Sequence, residues 1–188
     1  MAIVVIDAGH GYKPVKGGVV FDPGAIGYLG QAQYREADIT AQYANSIAYM
    51  LRTLYPALDT RLLIATADHP LGLQQRRRYE PSAAAFVSVH LNAAENKNAH
   101  GYETWYSRER SAGLAQACHA ALQRALTGML DRGIKQKGLT VCQRDKPAVL
   151  LELGFISNES DLRTLLLRET RARVARELAH AIAGFIQG

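Results

Sequence analysis

Cysteine is scarce in this chain, with only Cys118 and Cys142 among 188 residues, too few and too far apart for a disulfide framework or a Cys-x-x-Cys metal site. Cys118 shares a helical face with Leu114, Ala121 and Leu122, which marks it as a small buried hydrophobe rather than a nucleophile, so cysteine catalysis is the poorest enzyme reading. No apolar run is long enough to cross a bilayer. No Pro/Gly/Ser linker, composition break or internal repeat divides the sequence, so residues 1–188 are expected to form a single domain with a sizeable core. No nucleic-acid motif accompanies the basic stretches "RRRYE" and "RETRAR", which read as solvated helix faces, and no nucleic-acid partner is expected. The 22 basic residues against 17 acidic ones leave a net charge of +5, which favours anionic surroundings.

What is present is a regular alternation of elements. Apolar runs at residues 2–6, 61–66, 84–90, 101–106 and 147–153 predict strands, with helix-like segments between them. The fold class is therefore α/β, a twisted and mostly parallel sheet with helices on both faces. Several runs are apolar almost throughout, as strands covered on both faces should be. A helix from about Glu36 to Tyr55 carries Ile39, Tyr43, Ile47, Met50, Leu51 and Leu54 at helical spacing. A last helix, Glu169 to Gln187, repeats the pattern with Val174, Leu178, Ile182 and Phe185.

Four distant stretches hold the residues with chemistry: "VVIDAGHG" with His10, "YREADI" with Glu36, "SVHLNA" with His90 and "VLLELGF" with Glu152. Two imidazoles and a carboxylate can hold a tetrahedral Zn²⁺ with one position open to water, and a second carboxylate can act as base. Each stretch has a plainer reading. His10 could be a loop side chain, His90 a core histidine at a strand end, and Glu36 an acid in the first turn of its helix. Glu152 interrupts an apolar strand, where a carboxylate is costly unless it is met by a donor or a positive group, and this location reads as functional. In an open α/β sheet the carboxyl ends of the strands can gather His10, His90 and Glu152 at one edge, with Glu36 entering from a helix start. The glycine-rich segment between His10 and Glu36 is permissive enough to form a cleft wall.

Taken in order, "IDAGHG", "DPGAIG", "YREADIT", "SVHLNA", "GYETWY", "DRGIK", "KPAVLLELGFISN" and "DLRTLL" resemble the zinc-dependent N-acetylmuramoyl-L-alanine amidases of the amidase 3 type, from Ile3 to Ile186. The resemblance implies hydrolysis of the bond between the lactyl group of N-acetylmuramic acid and the first alanine of the peptidoglycan stem. Carried over residue by residue, it implies metal ligands at His10, Glu36 and His90 and a catalytic glutamate at Glu152. Two departures are local. "YKPVKGGVVF" is extra and is expected at the rim of the cleft, and "HPLGLQQRRRYEPSA" leaves open whether Arg76 or Arg77 is the family's helix arginine.

On this reading zinc is the cofactor, peptidoglycan the substrate and a monomer the favoured state. Glu152 takes a proton from the attacking water and returns it to the departing alanine nitrogen. Glu103 in "GYETWY" is a competing carboxylate, expected to brace the structure, and Asn92 either orients substrate or makes a turn. Some family members insert a blocking helix after the second histidine, but "ENKNAHGYETWY" leaves no room for one. Met1 runs directly into an apolar strand without space for a signal peptide. That fits a phage or prophage endolysin held in the host cytoplasm until release, or a domain trimmed from an exported precursor. The alternatives are a zinc carboxypeptidase or endopeptidase on another stem-peptide bond, and a non-catalytic wall-binding module.

Overall fold

The computed structural model describes residues 1–188. Strand β1 (Ile3–Val15) is followed by β2 (Gly18–Asp22), β3 (Ile26–Leu29), β4 (Ala32–Arg35), helix α1 (Glu36–Leu54), β5 (Asp59–Ala65) and the short helix α2 (Leu73–Arg78). The second half contributes β6 (Ala85–Asn92), β7 (Tyr102–Tyr106), α3 (Ala112–Ala125), β8 (Asp131–Gln136), β9 (Ala148–Phe155), α4 (Glu159–Leu166) and α5 (Arg168–Gln187). The main sheet has seven strands in the order β2-β1-β6-β9-β7-β8, with β5 also paired to β1, while β3 and β4 form a separate hairpin. Pairings β1–β5, β1–β6, β6–β9 and β7–β8 are parallel; β1–β2 and β7–β9 are antiparallel. This is the expected α/β architecture with a mostly parallel sheet. No helix is long and apolar enough to cross a membrane.

Alternation along each strand separates two faces. Val4 and Ile6 of β1, Val87 and Val89 of β6, and Val149, Leu151 and Leu153 of β9 face one way and join Tyr43, Ile47 and Leu51 of α1, Leu114 and Leu122 of α3, and Leu178 and Ile182 of α5 in the main core. Each such side chain contributes about 1.5–3 kcal/mol by leaving water. Cys118 lies fully buried in this core, where burial pushes its thiol up to about 12, as its place on the apolar face of α3 suggests.

The other face is covered lightly. Val5, Phe86, Ala148 and Leu150 meet Val141 and Cys142, from a single 3₁₀ turn at Thr140–Cys142, and α2 packs against that turn. Long helices thus load one face, and the opposite face is left shallow enough to hold a cleft.

Two elements depart from the sequence reading. The first strand does not stop at residue 6 but continues through His10 to Val15 and folds back as β2, with Val15 opposite Gly18. The "YKPVKGGVVF" insertion is therefore a hairpin, closed by Lys16 and Gly17, the latter at φ 88°, where a residue without Cβ is favoured. Strand β8 was hidden by the charged, glycine-containing sequence "DRGIKQ", and its burial is only partial. Helix α5 follows α4 after Leu167 and is the helix expected from Glu169 to Gln187.

Candidate active site

Strands β1, β6 and β9 deliver their side chains to one edge of the lightly covered face. Around His10 the β1 backbone shifts register between Asp7 and Gly11 relative to β5. His10 itself sits at φ 64° and Gly11 at φ 95°, left-handed conformations that turn the imidazole across the strand end. Glu36 is the first residue of α1, and its backbone N–H donates to Ala25 O at 2.9 Å while its own Oε2 accepts from Ala25 N at 2.9 Å. Ala37 N donates to Pro23 O at 3.0 Å, so the "DPGA" segment fastens the start of the helix beside His10.

Glu36 Oε1 is the centre of the cluster. It lies 3.0 Å from His10 Nε2, 3.0 Å from His90 Nδ1, and accepts from Leu91 N at 3.1 Å. The ring centroids of His10 and His90 are 5.1 Å apart at 75°. Burial alone would raise the Glu36 carboxyl, but the two imidazoles outweigh it and hold the group far below the usual carboxylate range. Burial would lower His10, and Glu36 with Asp22 reverse this and raise it.

The three donor atoms all lie within 4.8 Å of one another, and two imidazole nitrogens with one carboxylate oxygen suit zinc. Two glycines keep the space open. A Cβ on Gly9 would stand 2.4 Å from His90 Cε1, and one on Gly24 would stand 2.6 Å from Glu36 Oε2 and 2.7 Å from His10 Cδ2. The donor set and its cradle thus fit a zinc ion. Asp22 was not singled out from the sequence, yet its Oδ1 is 3.5 Å from His10 Nδ1. That carboxylate is itself held by Gly24 N at 3.1 Å and Lys13 Nζ at 3.0 Å, so it can orient the ring from behind.

Glu152 stands beside this cluster, its Cα paired with that of His90 across β6 and β9. Its Oε2 is buried without a hydrogen-bond partner. Burial, then the negative charges of Glu36 and Glu103, push its carboxyl up to about 8. A buried carboxyl without a partner and with a raised proton affinity is a candidate functional group.

Glu103 is paired with Glu152 on the other side, but it is saturated. Its Oε1 accepts from Asn92 Nδ2 at 2.8 Å and Trp105 Nε1 at 3.0 Å, its Oε2 from Arg132 Nε at 2.8 Å and Lys135 Nζ at 2.5 Å. Burial would raise this carboxyl, and these donors bring it below its ordinary value. Of the roles open to it, Glu103 has the bracing one, and Asn92 serves it. Neither Arg132 nor Lys135 was distinguishable in the sequence beyond membership of "DRGIK".

Arg76 and Arg77 differ sharply in burial and partners. Arg76 is 4% exposed and donates to Asp7 Oδ1 and to the carbonyls of Ala8, at 2.6 Å, and His10. Asp7 is wholly buried and also accepts from Ser88 Oγ at 2.6 Å. Arg77 donates to Gln143 O, outside the site. Arg144, also indistinct among the charged residues of the sequence, donates to the carbonyls of Arg76, Arg77, Tyr79 and Glu80 and stacks over Phe86 at 4.2 Å. It holds the end of α2, and through it Arg76, against the sheet.

A cleft of about 850 Å³ opens above His10 and His90. Lys13, Pro14 and Asp22 form one wall, Leu73, Gln74 and Gln75 of α2 a second, and Gly138 to Val141 a third. The hairpin therefore lies at the rim, as expected for the inserted segment.

A family model for N-acetylmuramoyl-L-alanine amidase matches residues 4–184. The probable cell wall amidase LytH of Staphylococcus aureus is 32% identical over 162 residues, 84% of this chain and 49% of that protein. The chain thus spans about half the length of the curated relatives it matches. Among solved structures, the catalytic domain of the N-acetylmuramoyl-L-alanine amidase CwlV from Bacillus (Paenibacillus) polymyxa var. colistinus superposes with a TM-score of 0.82 at 32% identity, covering 100% of this chain and 99% of that one. An N-acetylmuramoyl-L-alanine amidase from Clostridium difficile 630 gives 0.82 at 26%, with coverages of 100% and 97%.

Proposed function

The chain belongs to the amidase 3 family of N-acetylmuramoyl-L-alanine amidases, and from that premise we propose that it hydrolyses the amide between the lactyl group of N-acetylmuramic acid and the first alanine of the peptidoglycan stem. The observation that carries the reading is the meeting of His10, Glu36 and His90 around one point with the unpartnered Glu152 alongside. His10, Glu36 and His90 are the proposed ligands of zinc, which when bound supplies a Lewis acid that acidifies water and polarises the scissile carbonyl. Glu152 receives the proton of the attacking water and then passes it to the alanine nitrogen as the amide breaks. Asp22 fixes the orientation of His10, and Arg76 fixes the strand end from which His10 projects. Residues 1–188 act as one catalytic unit.

The biological setting we propose is lysis, as in a phage or prophage endolysin. Its support is an unobstructed cleft: the connection from β6 to β7, residues 93–101, carries only bends and a turn. Digestion of purified peptidoglycan, followed by mass spectrometry of the new ends, tests the activity. Intact stem peptides with free N-terminal alanine are the expected product. Trimmed peptides still attached to sugar would replace the amidase with a carboxypeptidase or endopeptidase, and binding without any release would leave a wall-binding module.

A further inference from the structure

The row of side chains on the site face does not end at Glu152. His90, Glu152 and Glu103 are register partners on β6, β9 and β7, and β8 follows, with Lys135 opposite Trp105 and Asp131 opposite Tyr102. Adjacent strands are about 4.8 Å apart, so Arg132 and Lys135 stand two strands beyond Glu152, on the side away from the histidines. Both cations meet the same oxygen of Glu103, whose other oxygen is already filled by Asn92 and Trp105. One carboxylate facing two cations leaves a positive charge over.

That charge is presented rather than buried. Arg132 and Lys135 side chains are 31% and 33% exposed, against 3% for Glu103. Each is also braced from below by a ring: Arg132 lies over Phe155 at 4.9 Å and Lys135 over Trp105 at 5.1 Å. Two pre-positioned cations with free N–H groups form a shelf for an anion.

The direction of the reaction says which part of the substrate reaches it. On the amidase reading, on which this inference rests, Glu152 gives its proton to the alanine nitrogen, so the peptide begins beside Glu152, and the strands next in order on the side away from the His10–Glu36–His90 cluster are β7 and β8. Where the second stem residue is acidic and joined through its side-chain carboxyl, it would bring an α-carboxylate, free or amidated, toward this shelf. We infer that Arg132 and Lys135 form the subsite for this free α-carboxylate, and so make the enzyme selective for acidic over amidated stems.

The test uses two soluble muramyl peptides that differ only in whether this carboxyl is free or amidated, with the wild type, Lys135→Gln and Arg132→Gln. The wild type should show a kcat/KM roughly tenfold higher on the free acid, the scale of one charge-assisted contact. The ratio should fall toward one in Lys135→Gln, chiefly through KM. A merely structural role would lower both substrates in parallel and keep the ratio. Equal use of both peptides by the wild type, or an undiminished preference in the variants, overturns the subsite while leaving the amidase reading in place. If Arg132→Gln proves unstable by thermal melting, Lys135→Gln decides. Failure of both peptides to yield a free N-terminal alanine overturns the amidase reading, and the subsite with it.

Discussion

Glu152 and His90 are direct partners on adjacent parallel strands, and both side chains project from the face that carries the cleft. The acid and the imidazole are thus held together by the sheet itself and not by a loop, which fixes their spacing to the accuracy of a hydrogen-bonded ladder.

Glu152→Gln keeps the shape and removes the proposed proton carrier. Turnover should fall roughly 10²-fold or more while zinc content, measured by atomic absorption, is retained. The same substitution has a pH signature in chelated protein. The folded value of about 8 lies above the ordinary 4.5, so the group costs no stability below pH 4.5 and progressively more as pH rises toward 8. Thermal melts of the wild type should decline through that window relative to the glutamine variant; parallel melts would refute the assignment.

Prolonged chelation should abolish hydrolysis and added Zn²⁺ restore it, and His90→Ala should lose metal and activity together. Gly24→Ala is a subtler probe. Its Cβ would press on Glu36 and His10 at a φ of 66°, so zinc affinity should drop roughly 10–100-fold in a protein that still folds. Wild-type affinity in that variant would show that the cradle is looser than its distances suggest.

Arg76 and Arg77 are neighbours with unequal fates. Removing Arg76 strands the fully buried Asp7, so Arg76→Ala should cost about 3–5 kcal/mol in denaturant unfolding. Arg77→Ala, which loses only a bond to Gln143 O, should cost far less. Equal losses would contradict the burial argument.

The net charge of +5 implies electrostatic attraction to anionic walls, screened beyond about 8 Å at physiological ionic strength. Pelleting of Glu152→Gln with purified sacculi should therefore weaken as salt is raised. Binding that is indifferent to salt would reduce the basic residues to a role in solubility.

The parts of this fold that were legible in the sequence are those where one periodicity dominates: the apolar runs of β6 and β9, and the stripes of α1 and α5. Glu152 stands out as a carboxylate in an apolar strand, while the roles of His10, Glu36 and His90, each open to a plainer reading alone, come from the resemblance to the amidase 3 family. Asp22, Arg132, Lys135 and Arg144 could not be singled out, since charged residues in polar segments look alike until the chain brings them to a partner. The β1–β2 hairpin lies at the rim as expected, but its strands were not legible for a related reason: exposed strands such as Gly18–Asp22 lack the buried alternation that betrays a strand.

The shared register of His90, Glu152 and Glu103 also bears on how the molecule is assembled. A slip of one residue in β9 would carry Glu152 through the sheet into the apolar layer beneath α3 and α5, and bring Leu151 and Leu153 out in its place. Such a misthreaded chain would be unstable, so the residue proposed to carry the chemistry also proofreads the folding of the strand that bears it.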